Sequence, residues 1–152
     1  MSVDIAQLIH RGGVFFDVDG DSPKEVYKNL KKILNLPASM SADEIYNALC
    51  AREDIMSTAV GNGIALPHAR TPIVKNEEDQ RICVVYLKNA LDMNAPDGLH
   101  VHTMFVLLSH DSQTHIQILS ALASMFQKKS FRDLLEAHAS EAELLAAVRE
   151  LA

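Results

Sequence analysis

The residues with the clearest chemical potential are a histidine and an arginine at the end of a glycine-rich stretch, Gly61-Asn62-Gly63-Ile64-Ala65-Leu66-Pro67-His68-Ala69-Arg70. Pro67 fixes its own φ and biases the preceding residue toward extended geometry, so His68 is expected just past a rigid strand end. Such an imidazole can serve as an acid or base, a metal ligand or a nucleophile toward phosphorus. Arg70 carries a planar donor group that suits phosphate oxygens. The ring alone does not decide among the three roles.

The segment before this histidine predicts a turn followed by a short strand. Gly61 and Gly63 flank Asn62, and glycine allows positive φ or the close approach of another group. The apolar run Ile64-Ala65-Leu66 is long enough for a brief buried strand. The imidazole is therefore expected to be held in place by the backbone before it.

Length and composition predict one domain that spans residues 1–152. A chain of 152 residues buries a sizeable core without disulfides or a structural metal. The formal net charge of −6 argues against nucleic-acid binding. Neither an apolar run of membrane-spanning length nor a secretory signal is found, so we expect a cytoplasmic protein without direct membrane insertion. Cys50 and Cys83 lie in apolar patterns and are expected to be free, buried thiols without a catalytic role.

The apolar and capping patterns predict an α/β fold, a mixed β-sheet flanked by helices on both faces. Strands are expected at 14–18, 81–87 and about 100–108, and the nearly unbroken apolar character of the second is typical of a central strand. Capping boxes, in which a serine precedes a glutamate by three residues, predict three helix starts. The serines are Ser22, Ser41 and Ser140.

A further helix is expected from His115, with Thr114 or Ser112 as its cap. Free N–H groups and the positive end of the dipole lie at a helix N-terminus, so His115 is expected in a first turn that attracts anions. The residues expected on the core side of this helix are Ile116, Leu119, Leu122, Ala123 and Phe126.

The helix that follows Ser41 is expected to place Arg52 near its C-terminal end. From there the chain leads back toward the glycine stretch, so Arg52 and His68 are candidate neighbours. The alternative is that Arg52 simply complements the negative end of the helix dipole.

Three motifs follow one another along the chain: Arg52-Glu53 with Ser57-Thr58, the run from Gly61 to His68, and His115-Ile116-Gln117-Ile118-Leu119. Together they resemble the IIA domains of the fructose/mannitol class of the bacterial phosphoenolpyruvate-dependent phosphotransferase system. That class includes the nitrogen-regulatory IIA proteins. Two features depart from the pattern: Ala69 stands where glycine is commoner, and the sequence contains only the IIA region.

The resemblance implies that His68 is the phosphorylated histidine, that His115 is a supporting histidine and that Arg52 stabilises the phosphoryl group. Further candidates for phosphate binding are Ser57, Thr58 and Arg70. No cofactor is implied. The implied donor is the phosphocarrier protein HPr or its nitrogen-branch counterpart, and the implied acceptor is a cysteine on a IIB domain in sugar transport. The alternative is a regulatory IIA protein whose phosphorylation state controls target proteins in nitrogen or metabolic regulation.

The seven histidines also raise the alternative of a metallohydrolase that uses His68, His100, His102 or His115. Alternation along a strand places His100 and His102 on one face, and other ligands could come from Asp97, His110 and Asp111. No spacing typical of a zinc site accompanies them, so no metal is expected. His10 and His138 are interpreted as surface positions.

Overall fold

A mixed β-sheet of five strands forms the middle of the molecule in the computed structural model, which describes residues 3–151. The strands are β1 (Val14–Val18), β2 (Ala59–Gly61), β3 (Ile64–Ala65), β4 (Arg81–Leu91) and β5 (Val101–Leu108). Their order in the sheet is β1-β4-β5-β3-β2. β1 runs parallel to β4 and β3 parallel to β5, whereas β4 and β5, and also β2 and β3, are antiparallel. The predicted mixed sheet is confirmed, and so is the central position of β4, which lies between β1 and β5 with both faces covered.

Helices cover both faces of this sheet, as predicted. They are α1 (Ile5–Gly12), α2 (Pro23–Ile33), α3 (Ala42–Ile55), α4 (Ser112–Phe126), α5 (Lys129–Glu136) and α6 (Glu141–Leu151). Side chains alternate between the faces of β4, so Ile82 and Val84 pack with α1, α4, α5 and α6, while Cys83 and Val85 pack with α2 and α3. Two separate apolar cores therefore hold the sheet between helical layers.

The three predicted capping serines all begin helices. The Oγ atoms of Ser22 and Ser41 accept the N–H groups of Glu25 and Glu44, both at 3.2 Å. At Ser140 the box is reciprocal, because its N–H also donates to Glu143 at 3.1 Å. Each bond satisfies an amide that the helix itself leaves without a partner.

The fourth helix starts earlier than predicted, at Ser112, and its cap is Asp111 in place of Thr114 or Ser112. The Asp111 carboxylate accepts the N–H of Thr114 at 2.7 Å and its hydroxyl at 3.0 Å. His115 is consequently the fourth residue of α4.

The predicted core face of α4 was partly wrong. Ile116 is 65% exposed and Ala123 is also exposed. The buried residues of this helix are Ile118, Leu122, Met125 and Phe126. Apolar residues occur all around α4, so the sequence pattern did not define one buried stripe.

Two smaller predictions concern the thiols and the membrane. Both cysteines are free; Cys83 is fully buried, but Cys50 is only partly so. Burial raises the pKa of the Cys83 thiol to about 12, which suits an inert core residue. Among residues 3–151, no helix combines the length and the apolar character needed to cross a bilayer.

Close packing between α1 and β4 generates a stability prediction. A Cβ atom added to Gly12 would lie 2.0 Å from the carbonyl oxygen of Ile82. This oxygen is a backbone atom, so it cannot move aside by rotation as the end of a side chain could. We expect Gly12→Ala to lower the free energy of unfolding by about 3 kcal/mol or more, measured by urea denaturation.

Gly98→Ala is the matched control for this substitution. No atom lies within 4 Å of a Cβ built at Gly98, and its φ of +75° predicts only a left-handed strain of about 1–2 kcal/mol. Equal losses in the two variants would contradict the proposed clash.

Candidate active site

His68 lies directly beyond β3, at the edge of the sheet where β3 and β5 both end. The chain continues beside β5 there, since the N–H of Leu107 donates to the carbonyl of Pro67 at 2.9 Å and His68 forms a single parallel bridge with Leu107. On the other side, the N–H of Leu66 donates to the carbonyl of Thr58 at 2.9 Å. The backbone that carries His68 is thus bonded on both sides, as the prediction of a rigid strand end requires.

The His68 ring has a defined tautomer. Its Nδ1 lies 2.7 Å from the carbonyl oxygen of Leu66. A carbonyl oxygen only accepts, so Nδ1 carries the hydrogen and Nε2 of the neutral ring keeps a free electron pair. Burial lowers the pKa of His68; its hydrogen bond to Leu66 opposes that effect, and the positive charge of Arg52 lowers the pKa further. The site therefore presents an imidazole that favours the neutral form, with a free electron pair on Nε2.

His115 stands beside His68. The centroids of the two rings are 4.9 Å apart, and their planes are tilted by 51°. The Nδ1 atom of His115 lies 3.2 Å from the hydroxyl oxygen of Ser109. Burial lowers the pKa of His115, and the neighbouring His68 lowers it further. Two half-buried imidazoles that both favour the neutral form therefore lie side by side.

Arg52 lies in the last turn of α3, as predicted, and within electrostatic range of His68. Its Nη1 donates to the carbonyl of Met56 at 2.5 Å, which holds the guanidinium across the C-terminal end of the helix. The structure thus combines both interpretations from the sequence. Arg52 caps α3 and also places positive charge near the histidine pair.

The hydroxyl groups of Ser57 and Thr58 are already engaged. Ser57 donates to the carbonyl of Met93 and accepts the N–H of Ala59 at 3.1 Å. Thr58 is 4% exposed and donates its hydroxyl to Glu53 at 2.8 Å. Either residue would have to give up a hydrogen bond to bind a phosphoryl oxygen.

Glu53 is a residue whose structural role sequence reasoning missed. Its carboxylate accepts the N–H of Thr58 at 2.9 Å and the hydroxyl of Tyr27 at 2.5 Å. These bonds tie the end of α3 to α2 and to the segment that enters β2. The sequence placed Glu53 beside Arg52 in a motif, but nothing in the spacing identified its partners.

Arg70 is exposed and makes no hydrogen bond or ion pair with the other residues that the structure describes. At the start of α4, the carboxylate of Asp111 accepts the N–H of Thr114 at 2.7 Å. That this helix end attracts anions stays a prediction, and the negative charge of the acidic cap opposes it.

The glycine pair lies at the other end of β3 from His68. Gly61 ends β2, and Asn62 and Gly63 form the turn to β3; the φ angles of the three residues are 100°, 57° and 77°. Asp97 accepts the N–H of Asn62 at 2.8 Å, and a Cβ atom at Gly63 would lie 2.5 Å from the ring of His102. The two predicted reasons for glycine, a positive φ and the close approach of another group, both apply here. Both concern the turn before β3.

The remaining histidines do not assemble into a metal centre. Within residues 3–151, no three histidine, cysteine, aspartate or glutamate side chains are grouped so as to hold a metal ion. The Nδ1 atom of His102 lies 2.7 Å from Oγ1 of Thr103, and that of His110 donates to the carbonyl of Val74 at 3.0 Å. At the surface, His10 contacts Glu141, while the partly buried His138 stacks on Tyr86.

Comparison with known proteins identifies the family of this arrangement. Residues 7–151 match the family described as phosphoenolpyruvate-dependent sugar phosphotransferase system, EIIA 2. The chain belongs to this family. As a IIA domain it is a component of this phosphotransferase system.

Relatives of this IIA domain include regulators and transport components. A nitrogen regulatory protein from Pseudomonas aeruginosa is 34% identical over 139 residues, which is 88% of this chain and 86% of the relative. The fructose-specific EIIABC component of Bacillus subtilis is 27% identical over 142 residues, 91% of this chain but 22% of that protein. The crystal structure of the nitrogen regulatory protein IIA-Ntr from Neisseria meningitidis superposes with a TM-score of 0.80, 29% identity and coverage of 95% of this chain and 98% of that one.

The electrostatic contact between Arg52 and His68 predicts a change in titration. NMR titration of the IIA domain should give His68 a pKa below its ordinary value of 6.5, and Arg52→Ala should raise that pKa because a nearby positive charge is removed.

His102 is the internal control in this titration. Burial lowers its pKa, Glu136 opposes that effect and His138 adds to it, without a contribution from Arg52 or His68, so the substitution should leave it in place. A His68 pKa that does not respond to Arg52→Ala would show that the two side chains do not interact.

Proposed function

We propose that this IIA domain, taken as residues 1–152, accepts a phosphoryl group on Nε2 of His68 and passes it to a cysteine of a IIB domain in sugar transport. The donor would be a phosphohistidine on HPr or on its nitrogen-branch counterpart. The observation that carries the proposal is the hydrogen bond from Nδ1 of His68 to the carbonyl of Leu66, because it leaves Nε2 as the reactive atom. The cytoplasm is the proposed location, since the phosphoenolpyruvate that feeds this system is a metabolite of that compartment.

The transfer step follows from this tautomer. The electron pair on Nε2 of His68 forms the new N–P bond as the N–P bond of the donor histidine breaks, and the donor ring keeps that electron pair. Positive charge that develops on the His68 ring is stabilised at Nδ1–H by the carbonyl of Leu66, 2.7 Å away. In the second step a cysteine thiolate of the acceptor attacks phosphorus, and Nε2 regains its electron pair.

His115 and Arg52 supply the groups that the transferring phosphoryl oxygens need. The ring of His115 lies beside the ring of His68, with 4.9 Å between the centroids. Its free nitrogen donates a hydrogen bond to a phosphoryl oxygen. Arg52 supplies the positive charge, and its guanidinium has donors beyond the one held by Met56. The N–H of Thr114 in α4 is already bonded to the carboxylate of Asp111, so that amide is not available to the phosphoryl oxygens.

The second candidate function is that of a regulator whose phosphorylation state controls a target protein. It is favoured by the relatives, because the nitrogen regulatory protein from P. aeruginosa is more similar to this chain than the fructose-specific component is. Adding about two negative charges at His68 would change any interface that includes this surface. Rapid transfer from the phosphorylated domain to a IIB cysteine would favour transport. A target whose affinity changes with phosphorylation, without onward transfer, would favour regulation.

Labelling tests the assignment of His68 directly. Incubation with phosphoenolpyruvate, enzyme I and the carrier protein should add one phosphoryl group to the wild-type domain, located by peptide mass analysis under alkaline conditions. His68→Ala should abolish the addition because the only proposed acceptor atom is lost. His10→Ala, which alters a histidine with a 71% exposed side chain, should label fully. Full labelling of His68→Ala would refute the assignment.

Rates of labelling test the supporting residues. Arg52→Ala and His115→Ala should each slow transfer by about 100-fold, since each removes a donor aimed at charge that develops in the transition state. Arg149→Ala is the matched control for Arg52, because Arg149 is an exposed arginine in the last turn of another helix, α6. Equal rates for Arg52→Ala and Arg149→Ala, measured by rapid quench, would remove Arg52 from the proposed site.

A further inference from the structure

Ser109 is a buried hydroxyl that none of the sequence motifs includes. It follows β5 directly and is 5% exposed. The N–H of Val74 donates to its carbonyl oxygen at 3.3 Å, which fixes the backbone. Within residues 3–151, the hydroxyl oxygen has one hydrogen-bond partner, Nδ1 of His115 at 3.2 Å. The side chain therefore has a defined contact with one of the two histidines of the site.

The contact restricts which nitrogen of His115 serves the reaction. Nδ1 faces Ser109, so the nitrogen left for the phosphoryl group is Nε2. Phosphoryl oxygens are acceptors, and a ring beside them stabilises them only if it presents an N–H. In the neutral imidazole one nitrogen carries hydrogen and the other accepts. An N–H at Nε2 of His115 thus requires Nδ1 to accept a hydrogen bond.

We infer that Ser109 is a positioning residue, which donates its hydroxyl hydrogen to Nδ1 of His115 and so holds the proton of that ring on Nε2. This inference rests on the proposed function of His68 and His115. The two rings then take opposite tautomers for a structural reason. A carbonyl oxygen forces hydrogen onto Nδ1 of His68, whereas a hydroxyl group supplies hydrogen to Nδ1 of His115.

A hydroxyl group suits this position better than a carbonyl or a carboxylate. Those groups only accept, and they would draw the hydrogen of His115 to Nδ1. A hydroxyl group also rotates, so it can accept from Nδ1 if His115 becomes protonated beside the charged phosphoryl group. Burial and the neighbouring His68 favour the neutral ring before phosphorylation, which is the state in which the tautomer matters.

The tautomer can be measured without any transfer reaction. In the unphosphorylated domain, ¹⁵N NMR at about pH 8 distinguishes a protonated from an unprotonated ring nitrogen in each histidine. We expect His115 to carry hydrogen on Nε2 and His68 on Nδ1. Hydrogen on Nδ1 of His115 in the wild-type domain would overturn the inference, and this measurement needs no substitution.

Substitutions at Ser109 connect the tautomer to the rate. Ser109→Ala should place hydrogen on Nδ1 in part of the His115 rings and slow labelling of His68 by between about twofold and tenfold, the usual effect of one hydrogen bond. Ser109→Thr keeps the hydroxyl and should restore both the NMR signature and the rate. Ser112→Ala is the matched control: Ser112 is an exposed residue in the first turn of α4, and it should match wild type.

The outcomes separate this inference from the proposed function. If the wild-type domain is not labelled on His68, the function is wrong, whatever the NMR shows. If the wild type is labelled and Ser109→Ala matches it in rate and in tautomer, the inference is wrong and the function stands. A slower Ser109→Ala with an unchanged tautomer also overturns the inference, since it indicates only a packing role for Ser109.

Discussion

The site depends first on one hydrogen bond, from Nδ1 of His68 to the carbonyl of Leu66. That carbonyl is a reliable acceptor because the backbone around it is fixed. The N–H of Leu66 is bonded to Thr58, and the carbonyl of Pro67 is bonded to Leu107. A side chain acceptor would carry its own rotational freedom, whereas this one is part of the sheet. The tautomer of His68 is therefore set by main-chain geometry.

Sheet topology explains why residues far apart in the sequence meet at this point. The parallel strands β3 and β5 end at the same edge, and His68 and His115 each follow one of them. β2 runs antiparallel to β3, so the segment that joins α3 to β2 returns to that edge and carries Arg52 with it. In open α/β sheets ligands commonly bind at this kind of edge, outside the carboxyl ends of parallel strands.

The sequence predicted those features that local chemistry determines. Pro67 indicated the strand end before His68, and the serine caps indicated helix starts, because each depends on a few neighbouring residues. Partners distant in the sequence were not predictable: nothing in the spacing showed that Tyr27 donates to Glu53, or that Ser57 donates to the carbonyl of Met93. The buried face of α4 was ambiguous for another reason, since apolar residues surround that helix and only packing against the sheet selects among them.

The acidic cap of α4 has a consequence for the proposed transfer. The carboxylate of Asp111 accepts the N–H of Thr114 and places negative charge at this helix end. A phosphoryl group carried on His68, as proposed above, would gain less from the dipole of α4 than at a helix end without an acidic cap. Its onward transfer to an acceptor would be correspondingly easier.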